Sequence, residues 1–366
     1  MTTAVAAHAA PLDLDELLRG AFKVGASDIH FRVDQTPRYR INGELRSFEI
    51  PPLGASQMAA IAAALVGEER LRRLPQHQEL EFALLRPGLG RFRVALFHEN
   101  ARLAISMRVI PLEIPDLKAL RLPPVLRRVA EFNRGLVLIT GATGMGKSTT
   151  AASLLALIAE SSARHIVTIE DPIEYVIPSR VGTVTQREVG RDTLSFADGL
   201  RASLRQDPNV LFVGELRDRD TIAITLQAAE SGHLVLATFH TSDTISTISR
   251  LVGMYPTEEQ QPLRLRLSEM LAMTVSQKLL PRAKGPGRVM AAEVMVSAPS
   301  TVEAIRDPSK LRNMDSYIAS GRFDHGMQCF DQHLVELLEG ELITFETARA
   351  AASRPADFVR SLQFTR

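Results

Sequence analysis

The stretch Gly135-Leu-Val-Leu-Ile-Thr140 running into Gly141-Ala-Thr-Gly-Met-Gly-Lys-Ser148 decides the fold of this 366-residue chain. Leu136 to Thr140 is a short apolar run with the composition of a central strand, and Thr149 to Glu160 is rich in helix formers. Between them the glycines satisfy G-x-x-x-x-G-K-[ST], the pattern of a loop whose backbone amides curl round a polyphosphate while the following helix points its positive end at it. Thr143, Gly144, Met145, Gly146, Lys147, Ser148 and Thr149 then line a nucleotide. Lys147 reaches the β- and γ-phosphates of ATP, and Ser148 holds Mg²⁺.

Composition bounds the rest. The length exceeds one ordinary core, so two domains are expected. With 45% hydrophobic and 23% charged residues the chain is globular rather than disordered. A formal net charge of +1 gives no global reason to expect nucleic acid as a direct partner. A single cysteine, Cys329, makes no intramolecular disulfide and no thiolate zinc site; it reads as a small core residue in a reducing cytoplasm. The N-terminus lacks the cationic and apolar segments of a signal peptide, and no apolar run approaches a bilayer span, so membrane contact is expected only through partners.

Along the chain, Leu12 to Val24 has helical spacing and Gly25 follows as a stop. Ile29–Val33 and Tyr39–Ile41 alternate as strands, with Asn42-Gly43 a hairpin signal. Ser56 to Leu74 reads as a helix ending before Pro75, and Arg91–Phe97 alternates again. Pro111, Pro115, Pro123 and Pro124 mark a semi-rigid linker over 110–124, separating an N-terminal α+β domain, 1–109, from an ATPase core over 125–300. In that core, strands at 136–140, 165–169, 210–213 and 234–238 alternate with helical stretches, the signature of parallel strands in an α/β three-layer sheet. From Thr301 to 366 the residues look helical.

Three further stretches follow strands and so converge with the glycine loop at the carboxyl edge of the sheet. Thr168-Ile-Glu-Asp-Pro-Ile-Glu174 crowds Glu170, Asp171 and Glu174, which can bind Mg²⁺ through water or position an attacking water; taken alone, a solvated, Pro-terminated turn explains it better. Asp207 to Asp218 is an apolar strand ending in Glu215, placed as the base that aligns and deprotonates the water attacking the γ-phosphorus and as a water-mediated Mg²⁺ contact. His233 precedes the next strand and His240 ends it. Their spacing does not suit a helical metal site; His240 can donate a hydrogen bond near the phosphates, or be a satisfied structural histidine.

Taken together these residues resemble the bacterial secretion ATPases and, within them, the PilT-type retraction motors of type IV pili. The resemblance covers nearly the whole chain. Gly25-Ala-Ser-Asp-Ile-His30 resembles the N-terminal signature, Gly90-Arg-Phe-Arg-Val94 the arginine-bearing strand, Gly141–Thr150 the Walker A box and Thr168–Glu174 the acidic box. Arg205–Asp218 matches the Walker B region, Ala229–Thr241 the histidine box, and Ala304-Ile-Arg306 with Gly326–Asp331 the C-terminal end.

The resemblance implies a PAS-like N-terminal domain joined to a RecA-like ATPase domain, assembled as a hexameric ring. Arg93 and Arg108 match the arginines that close on the phosphates, and His233 lies in the nucleotide-binding histidine box. It further implies a peripheral position at the inner-membrane base of the pilus and a polytopic platform protein as partner, with a paralogous retraction ATPase as a further one. Pilus-assembly, type II secretion and DNA-transfer ATPases share the chemistry, and a PilU-like accessory subunit is a further alternative. Two positions depart from the family pattern: Met145 replaces a small residue in the loop, and Asp307-Pro308-Ser-Lys-Leu-Arg replaces the usual helix after Ala-Ile-Arg.

Overall fold

In the computed structural model the residues described are 13–41, 43–47, 50–72, 79–110 and 113–364. Leu12, Asn42, Pro75 and Pro111, on which the sequence places a helix start, a turn, a helix stop and part of the linker, lie outside them. Two compact units divide the chain between Glu113 and Ile114.

In the first unit, α1 (Leu14–Lys23) starts at Asp13, whose carboxylate accepts from the Asp15 and Glu16 amides. Its Leu14, Leu17, Leu18 and Ala21 fall on one buried face. There follow β1 (Asp28–Arg32), β2 (Arg38–Ile41), β3 (Glu44–Ser47), α2 (Ala55–Val66), α3 (Glu68–Arg72), β4 (Leu80–Arg86), β5 (Gly90–Glu99) and β6 (Arg102–Ile110). The helix expected over 56–74 is broken at Gly67, whose φ of +83° lies outside the helical region. The strands form one antiparallel sheet in the order β3-β2-β1-β6-β5-β4. Ile29, Phe31, Phe92, Val94, Leu96, Ile105 and Met107 alternate inward to a core shared with α1 and α2.

In the second unit a 3₁₀ helix (Pro124–Glu131) leads to β7 (Gly135–Thr140) and α4 (Lys147–Ser161). Next come β8 (His165–Glu170), β9 (Thr183–Glu188), α5 (Phe196–Ser203), β10 (Val210–Val213), α6 (Arg219–Glu230), β11 (Leu234–Phe239), α7 (Thr244–Gly253), α8 (Thr257–Met270), β12 (Leu271–Pro281) and β13 (Arg288–Val296). The sheet order is β13-β12-β7-β11-β10-β8-β9. Every pairing is parallel except β12 with β13, a hairpin that the strand–helix alternation did not predict. Strands β7, β10 and β11 are buried along their whole length, as central strands covered on both faces must be.

Ile114 onward packs with this unit: Leu117 and Leu122, expected in a linker, are buried in its core. The C-terminal end is helical, as predicted: α9 (Pro299–Arg306), α10 (Pro308–Leu311), α11 (Met314–Ser320), α12 (Arg322–His325), α13 (Phe330–Glu339), α14 (Phe345–Ala351) and α15 (Pro355–Phe364). Pro308 opens α10 at its first position, with Asp307 accepting from the Ser309 amide. Cys329 is half-buried, and burial pushes its thiol up, away from nucleophilic use. No helix among the described residues is long and apolar enough to cross a membrane.

Candidate functional site

Strand order brings the predicted stretches together. β7, β11, β10 and β8 lie side by side in register, so Gly141, His240, the turn at Gly214-Glu215 and Glu170 all emerge at one edge of the sheet. Gly214 fits a tight place there: a Cβ on it would stand 3.2 Å from both Glu170 Cα and Ile169 O, closer than most side chains come. The Gly214 amide donates to Ile169 O at 2.8 Å and the Leu216 amide to Thr238 O at 3.0 Å, which fixes Glu215 between the ends of β8 and β11.

The helices following β9, β10 and β11 are capped by Ser195, Asp218 and Asp243, each accepting from a first-turn amide. α4 has no such cap. Its N-cap is Gly146 at φ +83°, with no side chain to compete for the amides that a phosphate would take. Gly144, at φ +78°, likewise adopts the left-handed conformation the loop requires.

Lys147 is buried, and its three ammonium protons have three acceptors: Gly141 O at 2.8 Å, Ala142 O at 3.0 Å and His240 Nδ1 at 3.3 Å. An ammonium only donates, so Nδ1 accepts and the ring proton sits on Nε2, 2.9 Å from Glu215 Oε1. Burial and then the Lys147 charge lower the His240 pKa from 6.5, which keeps the ring neutral at pH 7. Burial also lowers the Lys147 pKa, opposed by the charges of Glu215 and Glu174.

The other Glu215 oxygen accepts from Arg217 Nε at 2.9 Å, and Arg217 reaches Asp171 at 3.4 Å. Glu170 is buried and accepts from Thr168 Oγ1 at 2.7 Å and Gln186 Nε2 at 2.9 Å. Thr149 Oγ1 lies 3.0 Å from the Tyr175 hydroxyl, which ties the acidic stretch to the first turn of α4.

Among the described residues no group of three or more His, Cys, Asp or Glu could cage a metal. Ser148 stands in the first turn of α4, and Glu170 and Glu215 at the ends of β8 and β10 along the same sheet edge.

Arg93 and Arg108 belong to the first unit, where they face each other across β5 and β6. Each is held by a carboxylate: Glu81 at 2.9 Å for Arg93, Asp28 at 3.0 Å for Arg108. His233 is not brought to the loop. It sits at the opposite end of β11, bonded to Ala228 O and Ser231, and the length of the strand separates it from His240. Residues the sequence reading passed over are Arg217, Tyr175, Gln186 and Arg250, which donates to His240 O at 2.8 Å. Arg217 and Tyr175 stand within two residues of Glu215 and Glu174, which was the one signal available.

The profile of the family described as Type II/IV secretion system protein matches residues 6–318. The chain is 41% identical to the type IV pilus retraction ATPase PilT of Pseudomonas aeruginosa, over 95% of this chain and 100% of that protein. It is 35% identical to the type IV pilus ATPase PilU of the same organism, over 94% and 90%. Among solved structures, the pilus retraction motor PilT with bound ADP superposes with a TM-score of 0.88 at 39% identity, covering 95% of this chain and 99% of that one. The Legionella pneumophila ATPase DotB gives a TM-score of 0.80 at 28% identity, covering 94% and 96%. With a profile match over most of its length and full-length relatives of this similarity, the chain belongs to the type II/IV secretion system protein family.

Proposed function

We propose that this chain is the subunit of an oligomeric ATPase, most simply a hexameric ring, that hydrolyses ATP with Mg²⁺ to power type IV pilus retraction. The observation that carries the reading is the hydrogen-bonded line from Lys147 through His240 to Glu215, set beside the uncapped N-terminus of α4. The full-length similarity to a retraction ATPase supplies the load.

In this reading the amides of the loop and α4 bind the phosphates, and Lys147 exchanges its carbonyl acceptors for β- and γ-phosphate oxygens. Ser148 holds Mg²⁺, with Glu170 and Glu215 contacting it through water; the ion supplies charge neutralisation on the phosphates. Glu215, held by His240 on one oxygen and Arg217 on the other, orients the attacking water and takes its proton. Neutral His240 donates from Nε2, so its orientation follows whatever Lys147 binds. Glu174 adds negative charge near Lys147, and Arg93 and Arg108 meet the charge that develops on the phosphates. The work is delivered to a membrane-embedded platform protein at the base of the pilus, from the cytoplasmic side.

Mg²⁺-dependent ATPase rate against protein concentration tests this reading, for wild type, Lys147→Ala, Glu215→Gln and Arg93→Ala. A rate per subunit that rises with assembly and collapses in the variants is expected. Wild-type protein that assembles and binds ATP yet turns over no faster than Glu215→Gln would sink the autonomous motor and leave an accessory role.

A further inference from the structure

Strand β7 ends at Thr140, paired with Ser276 of β12. Beyond that point the chain turns into the glycine loop, while β12 continues to Pro281. The β12 edge from Gln277 to Leu279 is therefore lined by the loop instead of a strand. Gln277 O stands where a Cβ on Gly141 would meet it at 2.8 Å, so the two backbones touch. The Leu279 amide, which β7 no longer pairs, donates to Met145 Sδ at 3.2 Å. Across the hairpin, Arg288 Nη1 donates to Gly144 O at 3.3 Å. Gln277 Nε2 donates to Thr150 Oγ1 at 3.0 Å in the first turn of α4.

The same few residues face the C-terminal helices. Lys278, pointing opposite to Leu279 along the strand, donates to Ala351 O at 2.9 Å and lies 4.2 Å from the Phe330 ring centroid. The Ala283 amide donates to Leu342 O at 2.8 Å, and the Ala292 amide to His333 Nδ1 at 2.9 Å. One hairpin thus touches the glycine loop on one side and α13 and α14 on the other.

We propose that the β12–β13 hairpin braces the nucleotide loop, and that Met145 is the positioning residue through which it does so. The thioether closes the strand edge that β7 leaves and holds the loop in its phosphate-binding shape; a small residue at 145 would leave the Leu279 amide without that acceptor. The brace also makes the loop responsive to the C-terminal helices. This inference rests on the reading of the loop as a nucleotide site.

The test uses the full-length chain. Met145→Leu keeps the volume and removes the acceptor. Affinity for ADP, KM and kcat for Mg-ATP, and hydrogen–deuterium exchange across 277–281 are compared with wild type. ADP binding about five-fold weaker, a matching rise in KM, a kcat changed by less than about two-fold, and faster exchange at 277–281 are expected. Arg288→Ala should weaken ADP binding in the same direction. Equal affinity and equal exchange in Met145→Leu, with wild-type binding intact, overturn the brace and leave the nucleotide reading standing; wild type that binds no nucleotide overturns that reading itself. Should Met145→Leu misfold, wild type with and without ADP decides: slower exchange at 277–281 with ADP supports the brace, and unchanged exchange overturns it.

Discussion

His240 Nε2 lies 2.9 Å from Glu215 Oε1, and the opposite nitrogen of the same ring is 3.3 Å from Lys147 Nζ. One imidazole therefore joins the residue that would hold the phosphates to the residue that would activate water, and its tautomer is fixed by the fact that an ammonium can only donate.

His240→Asn shortens the side chain and breaks this line at one or both ends. Its kcat should fall about 10²-fold, with KM for ATP changed far less. Steady-state kinetics with Mg-ATP check this; a KM-only effect would make His240 a binding residue. Because the ring must be neutral to accept from Lys147, the wild-type rate should hold at pH 7 and fall only on acidification below the ordinary histidine value of 6.5, in keeping with its lowered pKa.

Arg217 holds the second oxygen of Glu215. Arg217→Ala should reduce kcat about ten-fold without altering ADP affinity, and Arg217→Lys should recover little, since a point charge does not reproduce the guanidinium's reach to both Glu215 and Asp171. Parallel measurements of ADP binding and kcat separate this from a general loss of structure.

The buried His333 accepts the Ala292 amide on Nδ1, and burial lowers its pKa from 6.5 to about 4. Below pH 6.5 the unfolded chain takes up a proton that the folded one refuses, so this residue lowers stability as pH falls from 6.5 to about 4, by about 3 kcal/mol in all. Above 6.5 it has no effect. Denaturant unfolding of wild type and His333→Gln across this range should show the slope in the first and its loss in the second.

Glu293 runs the other way. Buried on β13, it accepts the Thr244 amide at the start of α7 at 2.7 Å, with Asp243 and Asp315 nearby, and burial raises its pKa from 4.5 to about 7. The stability this gives is complete below pH 4.5 and is lost as pH rises through 7. Glu293→Gln keeps an acceptor and cannot ionise. It should match wild type near pH 4.5 and exceed it at pH 8 by about 3 kcal/mol, read from unfolding midpoints. Equal stability at pH 8 would count against the assignment.

Much of the core was legible because the information is local. The apolar run before Gly141, the loop spacing and the helix formers after Lys147 are contiguous, and strands at 165–170, 210–213 and 234–239 carry β-rich runs bounded by breakers. The β12–β13 hairpin was not: β13 is buried on nearly every residue past Arg288, so no alternation marks it. Arg217 and Tyr175 were missed because their parts depend on contacts between loops distant in sequence. His233 illustrates the converse. Its chemistry matched the site, but a fully formed strand puts it at the wrong end of the sheet.

Arg93 and Arg108 rest in solvent-exposed ion pairs with Glu81 and Asp28. Exposed pairs of this kind hold by about 0–1 kcal/mol and loosen with salt. On the proposed reading of the site, an arginine held this loosely can exchange its carboxylate for a phosphate and return to it afterwards. A tighter resting grip would turn a reusable clamp into a static strut. In a motor that works as proposed, the weakness of those two pairs would itself be the useful property.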